Sequence, residues 1–453
     1  MKKYVCLAMA YYLLLLTPPA TFGQQTQKRK LDDLFDWLSK NDQAMGSICV
    51  MKNGVVAYQR AIGFRTVRTG EKILANVDTK YRIWSITKMY TATMILQAIA
   101  EGKISLKTSL AKYFPQVTNA DSITIANMLG HTSGIHDFTH PVDSLKEKVI
   151  ENDPGIVGKI ASYPADFFPG ERVEYSNSNY VLLGYILERL EKKSYEKILT
   201  KRIADVIGLE NTYYGSPTLK KVVNKAETYQ YANDAWQYVD EGEFGAPIPG
   251  PAGGIVATPT DMAKFIYSLF NGKLLASASL AQMTTMRDMY GFGIFNMPFL
   301  EKEGFGHGGG YLASHAMLTY YPDDKLAIAY CTNGVRYGMQ SIISAVLNIF
   351  SNEKYVLPFT KTEEMLSHED LRKYEGNYTC SRFDIKVTVV DGRLSLVADG
   401  QPTLTLRAEH GTNRFYFLEG DMQVEFDKNE DGMIYKLALI MGDTRRVEAN
   451  RLP

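Results

Sequence analysis

The strongest constraint on this chain is a lysine placed where a lysine is costly. Residues Ser85 to Glu101 (SITKMYTATMILQAIAE) run almost wholly through apolar and small side chains to Gly102, with Lys88 and Gln97 the only long polar side chains before Glu101. Such a run predicts a helix buried on most sides and closed by a C-terminal glycine. A charged ammonium inside it is unfavourable unless it is paired or loses its proton. Burial lowers a lysine's pKa, and residues three apart share a helical face, so Lys88 can reach the Ser85 hydroxyl. A poised amine beside a serine is what a nucleophile and its general base require. The spacing alone is weak, because Ser109 and Lys112, Ser194 and Lys197, and Ser351 and Lys354 repeat it outside any comparably apolar helix.

The 453 residues exceed a typical domain of roughly 150 about threefold, so more than one unit is expected. Lys2 and Lys3 precede an apolar run from Tyr4 to Leu16, then Pro18, Pro19 and the small-residue context around Gly23. This reads as a secretory signal peptide over residues 1–23, too short to span a membrane, and implies a secreted or periplasmic protein. Met45 to Gly63 reads as a hairpin turning at Asn53-Gly54. Helical periodicity follows over Asn179–Lys192 and over Thr260–Leu269, the latter with Thr260 and Asp261 as expected N-caps. Met317–Tyr321 and Lys325–Tyr330 read as strands, so the two ends of residues 24–355 should meet in one sheet. A polar stretch at 356–370 fits a linker. Beyond it, 371–453 alternates in short runs broken by Asp391-Gly392, Asp399-Gly400, His410-Gly411, Glu419-Gly420, Asp431-Gly432 and Gly442-Asp443, the texture of a small antiparallel barrel or sandwich.

Two further motifs follow Ser85-x-x-Lys88 in order. Tyr175-Ser176-Asn177 lies within FFPGERVEYSNSNYVLLG, and His307-Gly308-Gly309 within GFGHGGGYLASHAM, directly before a strand. With the supporting stretches ITIANMLGHTSGI (123–135) and PAGGIVATPTDMAKF (251–265), the chain over about residues 30–350 resembles the serine β-lactamase and penicillin-binding-protein superfamily, in the branch of class C β-lactamases, D-Ala-D-Ala carboxypeptidases and serine esterases. The resemblance implies an α+β fold, an antiparallel sheet flanked by helices with a mostly helical subdomain, followed here by an all-β barrel-like domain. It implies Ser85 as the acylated nucleophile, with Lys88 and Tyr175 sharing the proton traffic. Which of those two is the base stays open. Asn177 would hold Lys88 and the acyl side chain, Asn177 and Gly309 would bind substrate, His307 could bond and tune Tyr175, and the oxyanion hole would use the backbone N–H groups of Ser85 and Gly310. Gly308 departs from the superfamily's usual Thr or Ser, whose hydroxyl helps bind the carboxylate of penicillins and of peptides ending in D-alanine. Losing a hydrogen bond to a charged group is worth about 1.5 to 3 kcal/mol, which tilts the expectation toward ester or amide substrates without that carboxylate.

Other chemistries fare worse. Fifty Lys plus Arg against fifty Asp plus Glu leave no net charge, which removes the electrostatic argument for nucleic acid. His131, His136 and His140 match no common metal spacing and are assigned to structure or surface, and Gly308–Gly310 lacks the Lys-Ser or Lys-Thr of a phosphate loop, so no metal or cofactor is expected. Cys49 and Cys331 fall in strands of one sheet and are expected as reduced, buried thiols, a cross-strand disulfide being the lesser alternative. The leading function is an exported serine hydrolase of small ester, amide or peptide substrates, cell-wall peptide among them. β-Lactamase or D-alanyl-D-alanine carboxypeptidase action is the alternative. A reading from another class is a non-catalytic cell-wall-binding or sensing protein whose C-terminal β-domain, which can also mediate oligomers, carries the function.

Overall fold

The computed structural model describes residues 22–68, 70–139, 153–214, 223–240, 250–353, 363–380, 383–398, 403–417, 422–441 and 445–452. The expected signal segment thus lies almost wholly outside the described residues, as do His140 and much of the expected linker. The described residues fall into two compact units, one within Ser39–Met339 and the other from Gln340 onward together with those from Phe22 to Leu38.

The first unit is built on a six-stranded antiparallel sheet. Its strands are β1 (Ala44–Lys52), β2 (Val55–Ile62), β3 (Phe295–Asn296), β4 (Phe305–Tyr311), β5 (Ser314–Tyr321) and β6 (Leu326–Val335), in the spatial order β3-β4-β5-β6-β1-β2. The expected hairpin forms where Asn53 (φ +52°) and Gly54 (φ +79°) both take the left-handed conformation that a two-residue turn needs. β1 lies between β2 and β6, joining the start of the unit to its end, and is buried along its length except at Lys52. In that register Cys49 faces Ala329 and Cys331 faces Ser47, so the two cysteines are not opposite each other, and both are free thiols. Burial pushes the Cys49 thiol up to about 11, which makes it inert as a nucleophile.

Four helices of this unit bear on the motif residues. α1 (Thr87–Ala100) is the apolar run, with eleven of its fourteen residues buried and Gly102 at φ +71° just past its end. α2 (Ile125–Leu129) starts with a reciprocal capping box between Thr124 and Asn127. α3 (Asn177–Glu191) packs against α1, and α4 (Pro259–Phe270) packs on β6 and β1. The cap of α4 corrects the sequence expectation: Thr258, not Thr260 or Asp261, accepts the N-cap bond, from the Asp261 N–H at 3.2 Å. Proline has no N–H to satisfy and its φ suits a first helical position, so Pro259 moves the start upstream. The Asp261 carboxylate instead accepts from the Asn211 N–H (2.8 Å) and the Thr212 hydroxyl (2.9 Å). Between sheet and helices the core includes Tyr90 stacked on Phe265 at 3.7 Å between ring centroids.

The second unit contains the helix Phe22–Lys40 up to Leu38 and the helix Met339–Ser351 from Gln340 on, together with an eight-stranded barrel. Its strands are β7 (Gly376–Thr379), β8 (Asp384–Val390), β9 (Arg393–Ala398), β10 (Leu404–Glu409), β11 (Arg414–Phe417), β12 (Met422–Lys428), β13 (Ile434–Met441) and β14 (Arg445–Arg451). They run β10-β9-β8-β7-β14-β13-β12-β11, and β11 pairs back to β10, which closes the sheet and removes its edges. Tyr378, Leu394, Phe415, Val424 and Phe426 fill the interior. Turns fall at Asp391-Gly392, Gly411 and Gly432, all with positive φ, whereas Asp399-Gly400, Glu419-Gly420 and Gly442-Asp443 lie outside the described residues.

Candidate active site

Ser85 sits in a tight 3-10 turn, Trp84–Ile86, immediately before α1, so its hydroxyl stands at the N-terminal end of the buried helix. One turn in, Lys88 is fully buried. Its ammonium finds three partners: Ser85 Oγ at 3.1 Å, Asn177 Oδ1 at 2.7 Å and the carbonyl of Ala252 at 2.8 Å. Each is an oxygen acceptor, but only Asp137 supplies negative charge nearby, so desolvation dominates and lowers the Lys88 pKa to about 7. Near neutral pH the ammonium can therefore give up its third proton and act as a base.

Tyr175 approaches from the other side. Its hydroxyl donates to Ser85 Oγ at 2.9 Å, and burial, only partly offset by that bond, pushes its pKa well above the usual phenol value. The phenol is therefore a proton donor at rest. Tyr175 is held by the start of α3: Ser176 is the N-cap residue, and its N–H donates to Nδ1 of His131 at 3.1 Å. The His131 ring in turn stacks on Tyr175, 4.5 Å between centroids and 25° between planes. Burial holds His131 well below its ordinary pKa, so Nδ1 accepts and the single ring proton sits on Nε2.

Asn177 joins Lys88 to a second layer. Its amide nitrogen donates to Asp137 Oδ2 (3.0 Å) and to Thr139 Oγ1 (2.8 Å), while its oxygen takes the Lys88 bond. His307, on β4, is 1% exposed and is held down to about 3, first by burial and then by Lys88. It is neutral. Nδ1 bonds the carbonyl of Gly308, and Nε2 has no hydrogen-bond partner among the described residues. This corrects the expected bond to Tyr175: the two rings are 6.4 Å apart between centroids, and His307 instead stacks on Phe295 at 4.1 Å.

The glycines of β4 set how closely that strand meets the nucleophile. A Cβ on Gly309 would lie 2.4 Å from the Ile83 carbonyl oxygen and 2.9 Å from the Ser85 nitrogen, so only a bare α-carbon fits there. Gly310 follows at the exposed end of the strand, opposite His315. A Cβ on Gly308 would meet only Met317, at 3.6 Å, an ordinary contact. Ser85, Lys88, Tyr175, Asn177, His307 and Gly309 thus converge. Sequence reasoning missed Asp137, Thr139, the Ala252 carbonyl and the role of His131. The motif GHTSGI contains His131, but nothing in its spacing signals a ring beneath Tyr175. Among the described residues no group of His, Cys, Asp or Glu is arranged to hold a metal ion. His136 pairs with Asp166 instead.

Chemically, a serine hydroxyl contacted by an amine of lowered pKa and a protonated phenol can lose its proton to the amine in its neutral form and gain nucleophilicity.

Comparison with known proteins places the chain among relatives of the same fold. A penicillin-binding protein of Bacillus subtilis (strain 168) is 25% identical over 438 residues, covering 90% of this chain and 95% of that protein. Protein flp of Staphylococcus aureus (strain NCTC 8325 / PS 47) is 31% identical over 211 residues, 45% of this chain and 40% of its own length. Among solved structures, the octameric penicillin-binding protein homologue from Pyrococcus abyssi superposes with a TM-score of 0.64 at 22% identity, covering 93% of this chain and 99% of its own. The D-amino acid amidase of Ochrobactrum anthropi SV3 does so with a TM-score of 0.63 at 22% identity, covering 72% of this chain and 99% of its own. The Beta-lactamase family profile matches residues 31–343, so this chain belongs to the Beta-lactamase family.

Proposed function

We propose that this protein is an exported serine hydrolase that cleaves ester or amide bonds through an acyl-enzyme on Ser85. The observation that carries the proposal is the pair of hydrogen bonds on Ser85 Oγ, from Lys88 at 3.1 Å and from Tyr175 at 2.9 Å. The two partners have opposite proton affinities. Lys88, lowered to about 7, takes the serine proton as Oγ attacks the carbonyl carbon. Tyr175, held protonated, gives its proton to the departing oxygen or nitrogen and is reprotonated from Lys88. Water then repeats the sequence on the acyl-enzyme. This ordering makes Lys88 the base of acylation. The backbone N–H groups of Ser85 and Gly310 receive the oxyanion, each such donor typically worth about 3 kcal/mol.

The substrate class follows from the chemistry of the third motif. His307 is neutral and Gly308 carries no hydroxyl, so neither can supply the cation or the hydroxyl donor that a substrate carboxylate needs. Half-buried Tyr290 and Phe295 stand near Tyr175, their ring centroids 6.4 and 6.3 Å from it. These features support neutral esters and amides over penicillins and peptides ending in D-alanine. A D-amino acid amidase, named for amide substrates, is among the structural neighbours. Export rests on Lys2, Lys3 and the apolar run behind them, and self-association on the octameric neighbour. N-terminal sequencing of the secreted or periplasmic protein and light scattering test these two.

To test the reaction, the purified protein is given an activated ester, an amino-acid amide, a penicillin and a peptide ending in D-alanine. Faster turnover of the first two supports the proposal. Preference for the carboxylate-bearing pair overturns the substrate class, and no turnover of any of the four overturns the hydrolase.

A further inference from the structure

Trp84, the residue before the nucleophile, has a backbone φ of +49°, a region that bulky side chains rarely occupy. Its side chain is 6% exposed, so the indole is enclosed by protein rather than offered to a ligand. The indole N–H donates to the Ser314 hydroxyl at 3.2 Å, the Tyr311 ring lies 5.4 Å away, and the Arg82 guanidinium sits 5.1 Å from the ring. Tyr311 and Ser314 are paired residues that close the β4–β5 hairpin. One indole therefore spans from the nucleophile turn to the tip of the hairpin whose first strand carries Gly309 and Gly310.

The spacing that this bridge sets is tight. A Cβ on Gly309 would lie 3.0 Å from Trp84 Cβ and 2.9 Å from the Ser85 nitrogen. β4 and the Ser85 turn thus approach too closely to admit a side chain at Gly309, and backbone donors stabilise an oxyanion only when held at a defined distance.

We propose that Trp84 is a positioning residue: its indole, tied to Ser314, holds β4 against the Ser85 turn and fixes the separation of the two oxyanion donors. It touches no reacting atom and acts through the hairpin. The inference rests on the acyl-enzyme reading above and adds to it the element that keeps the oxyanion pocket in register.

The test uses two conservative variants and their combination. Trp84→Phe keeps an aromatic ring but loses the N–H, and Ser314→Ala removes the acceptor with almost no change in volume. Each should lower kcat for an activated ester about tenfold with KM within about twofold, the loss expected of one neutral hydrogen bond felt in the transition state. The double variant should be no slower than either single one, because both remove the same bond. An arylboronic acid, whose tetrahedral Ser85 adduct places an oxygen in the same pocket, should bind the variants about tenfold more weakly. A merely structural role would change the melting temperature and leave kcat and boronate affinity unmoved, and that outcome overturns the assignment. So do multiplicative losses in the double variant. If the unaltered protein turns over no ester or amide, the hydrolase reading fails and this inference falls with it. If it is active and both single variants match it, only the Trp84 assignment fails.

Discussion

Two adjacent glycines should respond oppositely to one methyl group. Gly308 and Gly309 are neighbours on β4 and face opposite sides of the sheet, as alternation along a strand requires. In Gly309→Ala the new Cβ would sit 2.4 Å from the Ile83 oxygen, 2.9 Å from the Ser85 nitrogen and 3.0 Å from Trp84 Cβ. An unstrained carbon–oxygen contact is about 3.3 to 3.6 Å, so β4 or the nucleophile turn must retreat by roughly 1 Å. A misplacement of that size costs on the order of 10²-fold in rate, and loss of one oxyanion donor costs about 10² to 10³. Gly309→Ala should therefore lower kcat at least about a hundredfold with a smaller change in KM. In Gly308→Ala the Cβ meets only Met317, at 3.6 and 3.8 Å. The rate should stay within about threefold, and stability should rise by about 0.5 to 1 kcal/mol as the unfolded chain loses glycine freedom. Initial rates on a chromogenic ester, with thermal melts of both variants, decide the matter. A Gly309→Ala enzyme within about threefold of the parent, or equal damage from both substitutions, would refute the close-approach reasoning.

The charges in the site set further expectations. Only unprotonated Lys88 can accept the serine proton, so kcat/KM should rise with pH through a midpoint near 7; a limb centred about 10, where an exposed lysine titrates, would contradict a buried base. His307, held to about 3, is neutral on both sides of that limb and should add no second one between about pH 5 and 8. Asp137 is the one charge that raises the Lys88 pKa, so Asp137→Asn should move the midpoint to lower pH, and an unmoved or raised midpoint would argue against their coupling. Titration of the unfolded protein should find Cys49, Cys331 and Cys380 all as free thiols; two of the three unreactive without reductant would reveal a disulfide.

How far each feature could be read from the sequence depends on how it arises. Lys88 stands out because its sequence context is local: it is a long cation inside an apolar helical run, although the groups that enclose its ammonium, Asn177, Ala252, Tyr175 and Tyr180, come from distant segments. The barrel is legible for a similar reason, since Asp391-Gly392 writes its backbone conformation into two adjacent residues. Tyr175 and His307 needed the motif pattern, because nothing in a strand or loop marks a phenol that will reach a distant hydroxyl. Contacts between distant segments through ordinary groups left no trace. The Ala252 carbonyl that holds Lys88 is a backbone atom that any residue would supply, and the bond from Trp84 to Ser314 joins residues 230 positions apart. His131 was assigned to structure or surface and is indeed fully buried, yet its ring lies under Tyr175. Its role depends on the turn after α2 meeting the start of α3. The α4 cap lies two residues before Thr260 and three before Asp261, both of which look like caps, because Pro259 decides the start by having no N–H to satisfy.

The proposed chemistry depends on one covalent bond. The protein should be mixed with an activated ester, quenched in acid during turnover and digested, and the acyl mass located by peptide mapping. The increment should fall on the peptide carrying Ser85 and be absent from Ser85→Ala, which should also lose turnover. Acylation of a different residue, an adduct that survives Ser85→Ala, or turnover by that variant at the parent rate would contradict the acyl-enzyme mechanism.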